Sequence, residues 1–175
     1  MNPNEIFTFP VENKSAEAKK AIKNFYCKFR EAKCDKQSRT IKYPMGVCSV
    51  NHSKTKPIIC PHRFLENNIV FQDASKEVFG TTNNVLLFSE VNLSNVGSFD
   101  FVLVKHKPIS SKIDDFCIVE FQSDSTTGTG ELVRALKDFM KGVDVLENKY
   151  KFGMNTYNTI KLSYIQMLIK GQVME

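Results

Sequence analysis

An α/β fold is predicted by two features of the 175-residue sequence. Three consecutive β-rich runs lead into an amphipathic helical pattern, and a loop-rich segment with four clustered cysteines precedes them. The β-rich runs cover residues 85–91, 99–105 and 116–122, separated by turns containing Asn, Gly, Pro and Ser. They read as successive strands of one sheet, the second and third neighbours if joined through the loop 106–115. The helix expected over 131–141 carries Leu132, Leu136, Phe139 and Met140 on one side and stops at Gly142.

Ahead of these elements, residues 15–32 read as one amphipathic helix. Ala18, Ala21, Ile22, Phe25, Phe29 and Ala32 recur at helical spacing after a Ser15 cap, with Lys19, Lys20, Lys23 and Arg30 on the other side. From Cys34 to Phe64 the periodicity disappears, and Pro44, Gly46, Pro57 and Pro61 punctuate a stretch that builds little core unaided. The last apolar segment, 159–170, has mixed spacing and fits a strand running into a helix, which leaves strand and helix undecided. The sequence divides into a basic, cysteine-bearing subdomain over 1–64 and a core over 65–175. Its ending at Glu175, soon after the last apolar segment, fits a fragment or truncated product.

Composition excludes several classes. A hydrophobic fraction of 42%, with 25% charged residues and 14 Phe, belongs to a globular chain. No apolar run approaches the roughly 20 residues of a membrane-spanning helix, and the polar start lacks the pattern of a signal peptide. A cytoplasmic location is therefore expected. The net charge of +5 is uneven: the first 63 residues hold 13 Lys/Arg against 5 Asp/Glu, whereas the remainder is slightly acidic. Such a segment suits a polyanion, or is a solvated basic helix.

Cys27, Cys34, Cys48 and Cys60 fall within 34 residues, with 6, 13 and 11 residues between them. Four thiolates close a tetrahedral site for Zn²⁺, and iron in an all-sulfur shell fits the same geometry. Metal binding would then supply folding free energy to a segment short of core. No CxxC pair is present, and buried inert thiols are the alternative. His52 and His62 are near enough in sequence to substitute as ligands or to be ordinary loop histidines. Cys117, inside a β-rich run, reads as a core residue.

In the run Phe116-Cys117-Ile118-Val119-Glu120-Phe121-Gln122, alternation places Glu120 and Gln122 on one face. Asp100 sits in the preceding apolar run, where a carboxylate is costly unless it meets a cation or a donor. Phosphodiester hydrolysis needs an activated water and a cation to neutralise developing charge, and two carboxylates holding Mg²⁺ supply both. Asp100 and Glu120 form such a pair, and Gln122 takes the position beside the attacking water. Solvated strand-end acids are the alternative reading.

Together these pieces resemble the NotI family of restriction endonucleases, a branch of the PD-(D/E)xK nuclease superfamily. The resemblance rests on Tyr43-Pro44-Met45-Gly46-Val47-Cys48-Ser49-Val50, Cys60-Pro61-His62-Arg63-Phe64, Phe99-Asp100-Phe101-Val102 and Val119-Glu120-Phe121-Gln122. It continues through Thr127-Gly128-Thr129-Gly130 and Phe152-Gly153-Met154-Asn155 to Lys161. It implies a nuclease core of mixed sheet flanked by helices, with Asp100 and Glu120 as Mg²⁺ ligands. Gln122 stands where the superfamily usually has Lys, and Glu90 is the match to an upstream acid. Ser98-Phe99-Asp100 lacks the Pro of the superfamily signature.

The same resemblance implies that Cys27, Cys34, Cys48 and Cys60 bind one structural Fe or Zn²⁺. The expected activity is site-specific cleavage of double-stranded DNA by a type II enzyme, with a homodimer on a palindromic target. A cognate DNA methyltransferase acting on the same site is the further partner expected. The alternatives are a non-catalytic, metal-stapled DNA-binding protein and an inactive, truncated remnant of such an enzyme.

Overall fold

The computed structural model describes residues 1–94, 96–110 and 112–172. Strands β1 (Asn2–Ile6) and β2 (Phe9–Pro10) lead into helix α1 (Ala16–Asn24), the short β3 (Tyr26–Cys27) and β4 (Ala32–Lys33), and β5 (Val47–Asn51). A 3-10 stretch, Pro61–Asn68, runs into α2 (Ile69–Phe79), followed by β6 (Val85–Leu93), β7 (Gly97–His106) and β8 (Ile113–Val119). The chain continues through β9 (Thr126–Thr127), α3 (Thr129–Met140), β10 (Gly153–Met154) and α4 (Thr156–Gly171). The described residues thus form a mixed α/β protein with four α-helices and several small antiparallel sheets. None of these helices is long and apolar enough to cross a membrane. The chain forms two compact units, one of Met1–Glu66 with Ser123–Ile160 and one of Asn67–Gln122 with Lys161–Glu175.

In the first unit, β1 lies between β2 and β5, and Ile6, Val47 and Val50 from this sheet enter a core completed by Leu132, Val133 and Leu136 of α3. Burying the Leu132 and Leu136 side chains stabilises this unit by about 1.5–3 kcal/mol each. Phe7 and Thr8 take positive φ in the tight turn from β1 to β2. The Phe7 ring is nonetheless almost fully buried, and its N–H donates to the Gly46 carbonyl at 2.7 Å. Gly46 has φ +60, and any Cβ there would collide with the Phe7 ring, so both conformation and space demand glycine.

The single helix expected over 15–32 is shorter. Ser15 caps α1 as the sequence indicates, its Oγ accepting the Ala18 N–H at 3.2 Å. Phe25 then turns left-handed at φ 54 and its N–H closes back on Ala21 and Ile22. Cys27 pairs with Ala32 in a two-stranded hairpin, and the Cys34 N–H donates to the Phe25 carbonyl at 2.8 Å. Phe25 and Phe29 still pack against the core, so the apolar spacing is satisfied by a helix plus a hairpin.

In the second unit, β6, β7 and β8 form an antiparallel sheet in that order, as the three β-rich runs suggest. Phe71 of α2 packs on this sheet, with ring centroids 4.8 Å from Phe101 and 5.6 Å from Phe121. Helix α2 ends where Gly80, at φ 68, donates its N–H to the Lys76 carbonyl. The third strand is shorter than 116–122 implies at its far end and stops at Val119. The segment with mixed apolar spacing is resolved as α4, helical throughout its span.

Candidate active site

The register of the three-stranded sheet decides which carboxylates can act together. Between β6 and β7 the pairs Ser89↔Phe101 and Val91↔Phe99 belong to one unbroken register, so Glu90 falls opposite Asp100. Between β7 and β8 the last pair is Phe101↔Val119, and Asp100 and Glu120 each lie one residue beyond it, at the same end of the ladder. Glu90, Asp100 and Glu120 are therefore gathered in a short row at the end of the β7–β8 ladder, with Glu120 one residue past its last pair. Gln122 lies two positions beyond Glu120 and is exposed, outside β8.

Asp100 explains why the strand stops. Its Oδ2 accepts the Phe121 N–H at 2.9 Å, taking a donor that ladder pairing would have offered to a backbone carbonyl. A charged acceptor makes this a strong hydrogen bond, and it ties the residues following β8 to the Asp100 side chain. The alternation expected for Glu120 and Gln122 within a continuing strand is thereby replaced by a side-chain-anchored turn away from the ladder. Glu90 is exposed and has φ 52, an uncommon conformation for glutamate inside a strand.

Glu120 is partly buried, and its Oε1 has no hydrogen bond of good geometry within the described protein. The Lys170 Nζ lies 2.8 Å from that oxygen as an ion pair, and 5.2 Å from the centroid of the Phe99 ring. Next to them is a cavity of about 550 Å³, lined by Glu120, Gln122 and Lys170 with Phe99, Phe116 and Met167 among its apolar walls. Lys170 is the member of this site that sequence reasoning missed. Its only signal is a lysine in the final turn of an apolar helix, which is commonplace.

Among the described residues, no group of three or more His, Cys, Asp or Glu side chains is arranged to hold a metal ion. For Mg²⁺ the donor set still fits, because this ion is commonly bound through one or two carboxylates, substrate phosphate and water. Asp100 and Glu120 offer hard oxygens at the end of the β7–β8 ladder, and Glu120 Oε1 is buried with the Lys170 ammonium beside it.

The cysteines all sit in the first unit, and Cys27, Cys34, Cys48 and Cys60 are all buried as free thiols. Burial is the main cause pushing the Cys27, Cys48 and Cys60 thiols above their ordinary range. A smaller cause is mutual repulsion, of Cys27 with Cys34 and Cys60, and of Cys48 with Cys60 and Cys27. The four are neighbours, but they are not drawn into ligand geometry, so the structure does not support the four-sulfur Fe or Zn²⁺ site expected from sequence. His62 Nε2 lies 3.0 Å from Asp35 Oδ1, an ordinary polar pairing. Cys117 is partly buried in β8. Lys19, Lys20 and Lys23 are exposed along α1, whereas Arg30 is engaged with Asp35 and the Lys33 carbonyl.

No curated protein matches the chain significantly. The family model described as "Restriction endonuclease NotI" matches residues 11–144, which include all four clustered cysteines, Glu90, Asp100, Glu120 and Gln122. That match spans most of the sequence, and the chain belongs to the NotI restriction endonuclease family.

Proposed function

We propose that the protein is a Mg²⁺-dependent type II restriction endonuclease that cuts double-stranded DNA at a specific site, with Asp100 and Glu120 as the metal ligands. The observation that carries this reading is the gathering of Glu90, Asp100 and Glu120 at the end of the β7–β8 ladder, within the span matched by the family model. Bound Mg²⁺ would lower the pKa of a water and neutralise charge on the phosphate. The water oxygen bonds to phosphorus, one P–O ester bond breaks, and the proton lost from water ends on the leaving oxygen. Asp100, fixed by the Phe121 N–H, holds its carboxylate in one orientation. Gln122 orients the attacking water through its amide, which can donate and accept but cannot supply positive charge. Glu90 faces the other side of Asp100 in the row and adds negative potential that favours a cation.

In this reading residues 65–175 carry a PD-(D/E)xK core, and residues 1–64 form a basic subdomain. The exposed lysines of α1 contact phosphates and provide sequence-independent affinity. A structural Fe or Zn²⁺ on the four cysteines would require their side chains to be drawn together on loading; the family match and their common burial in the first unit favour it. The enzyme works in the cytoplasm as a homodimer on a palindromic site, protected by a methyltransferase of the same specificity.

One observation favours a second reading, a DNA-binding protein without catalysis: Glu120 is already neutralised by Lys170. Glu120→Ala separates the two. For a nuclease this variant loses cleavage by at least about 10²-fold, while DNA affinity in a gel-shift titration stays within about twofold. Retained cleavage, or equal loss of cleavage and affinity, contradicts the assignment of Glu120.

A further inference from the structure

The β-strands give the row of carboxylates no cation of their own. Gln122 is neutral, and among the described residues Lys105 is paired with Asp114 at 3.3 Å. The cation comes from α4. Lys170 is held by two groups of different chemistry, the Glu120 carboxylate at 2.8 Å and the face of Phe99 at 5.2 Å. Its side chain is 16% exposed, far less than that of an ordinary surface lysine. An ammonium removed this far from water loses hydration, which the carboxylate and the ring quadrupole offset. Glu120 Oε1 is also the oxygen that a divalent cation would need.

We propose that Lys170 is an active-site cation exchanged against the metal. Without a divalent ion its ammonium neutralises Glu120; with Glu120 Oε1 given over to a divalent ion, the ammonium would be free to donate to the anionic phosphate. The inference rests on the nuclease reading above and extends it to a residue outside the 11–144 match. The long, flexible lysine stem allows the short excursion, and a charged donor aimed at a phosphate stabilises the added negative charge of the transition state. No bond is made or broken on Lys170.

Two consequences have opposite signs, which a structural lysine would not produce. Lys170→Met removes a competitor for Glu120 and a nearby positive charge, so Ca²⁺ titrated calorimetrically into the DNA-free protein binds about 5- to 10-fold tighter. The same variant cleaves DNA about 10²-fold more slowly at saturating Mg²⁺, having lost a phosphate donor. Lys170→Arg keeps the charge and restores parental Ca²⁺ affinity. Lys170→Gln runs beside Lys170→Met, so that a folding defect peculiar to one substitution does not decide the result. Parental cleavage with uncharged variants that cleave equally well, or bind Ca²⁺ no tighter, overturns the Lys170 role alone. No Mg²⁺-dependent cleavage by the parent overturns the nuclease reading and this inference together.

Discussion

Asp100→Asn lowers Mg²⁺-supported cleavage by at least about 10³-fold, equivalent to about 4 kcal/mol of transition-state stabilisation, and leaves the fold intact. The substitution is nearly isosteric, and its amide oxygen can still accept the Phe121 N–H that ends the β7–β8 ladder. What disappears is the charge of Asp100, opposite Glu90 and at the same ladder end as Glu120. Single-turnover cleavage and thermal unfolding, measured on the same preparation, separate these effects. A rate within about tenfold of the parent shows that the row does not carry the chemistry.

The second large effect is expected in the first unit. Purified protein contains one equivalent of Zn²⁺ or Fe by elemental analysis, and stripping it with a strong chelator abolishes cooperative melting of this unit. Structural Zn²⁺ in small domains supplies about 10–16 kcal/mol of apparent binding free energy. The segment between Cys34 and Cys60 holds one strand, β5, and sends only the short stretch Met45, Val47 and Val50, with Ile59, into the core. Four buried thiols in so small a region are costly to ionise, and burial holds Cys27, Cys48 and Cys60 protonated without metal. A cation that deprotonates them must offset that cost, and the balance becomes fold stability. Cys48→Ala therefore loses the metal and most of the stability. Metal-free parent protein that melts cooperatively, with Cys48→Ala costing only the few kcal/mol of a small cavity, contradicts the site.

The sheet that carries the acids was legible because its strands are dense in Val, Leu, Ile and Phe and are bounded by turn residues. Reading Asp100 and Glu120 as a pair needed only adjacent strands; their placement in one row depended on register, which no local signal encodes. β1 was not legible, since Asn2-Pro3-Asn4-Glu5-Ile6 has poor strand propensity and pairs because β2 and β5 flank it. α2 was not legible, since few of its apolar residues form a clean stripe and only Phe71 and Ser75 of the helix are buried. α1 was overextended because Phe25 and Phe29 keep helical spacing after the backbone has turned left-handed. Lys170 was invisible because its place beside Glu120 depends on an ion pair across 50 residues of sequence.

The measurement that tests the central claim most directly is incubation of the purified full chain with a large unmethylated DNA, in Mg²⁺ and in EDTA, followed by gel electrophoresis. Discrete fragments in Mg²⁺ and intact DNA in EDTA are the expected result. Intact DNA in both, accompanied by a salt-sensitive mobility shift, contradicts catalysis and leaves a DNA-binding protein.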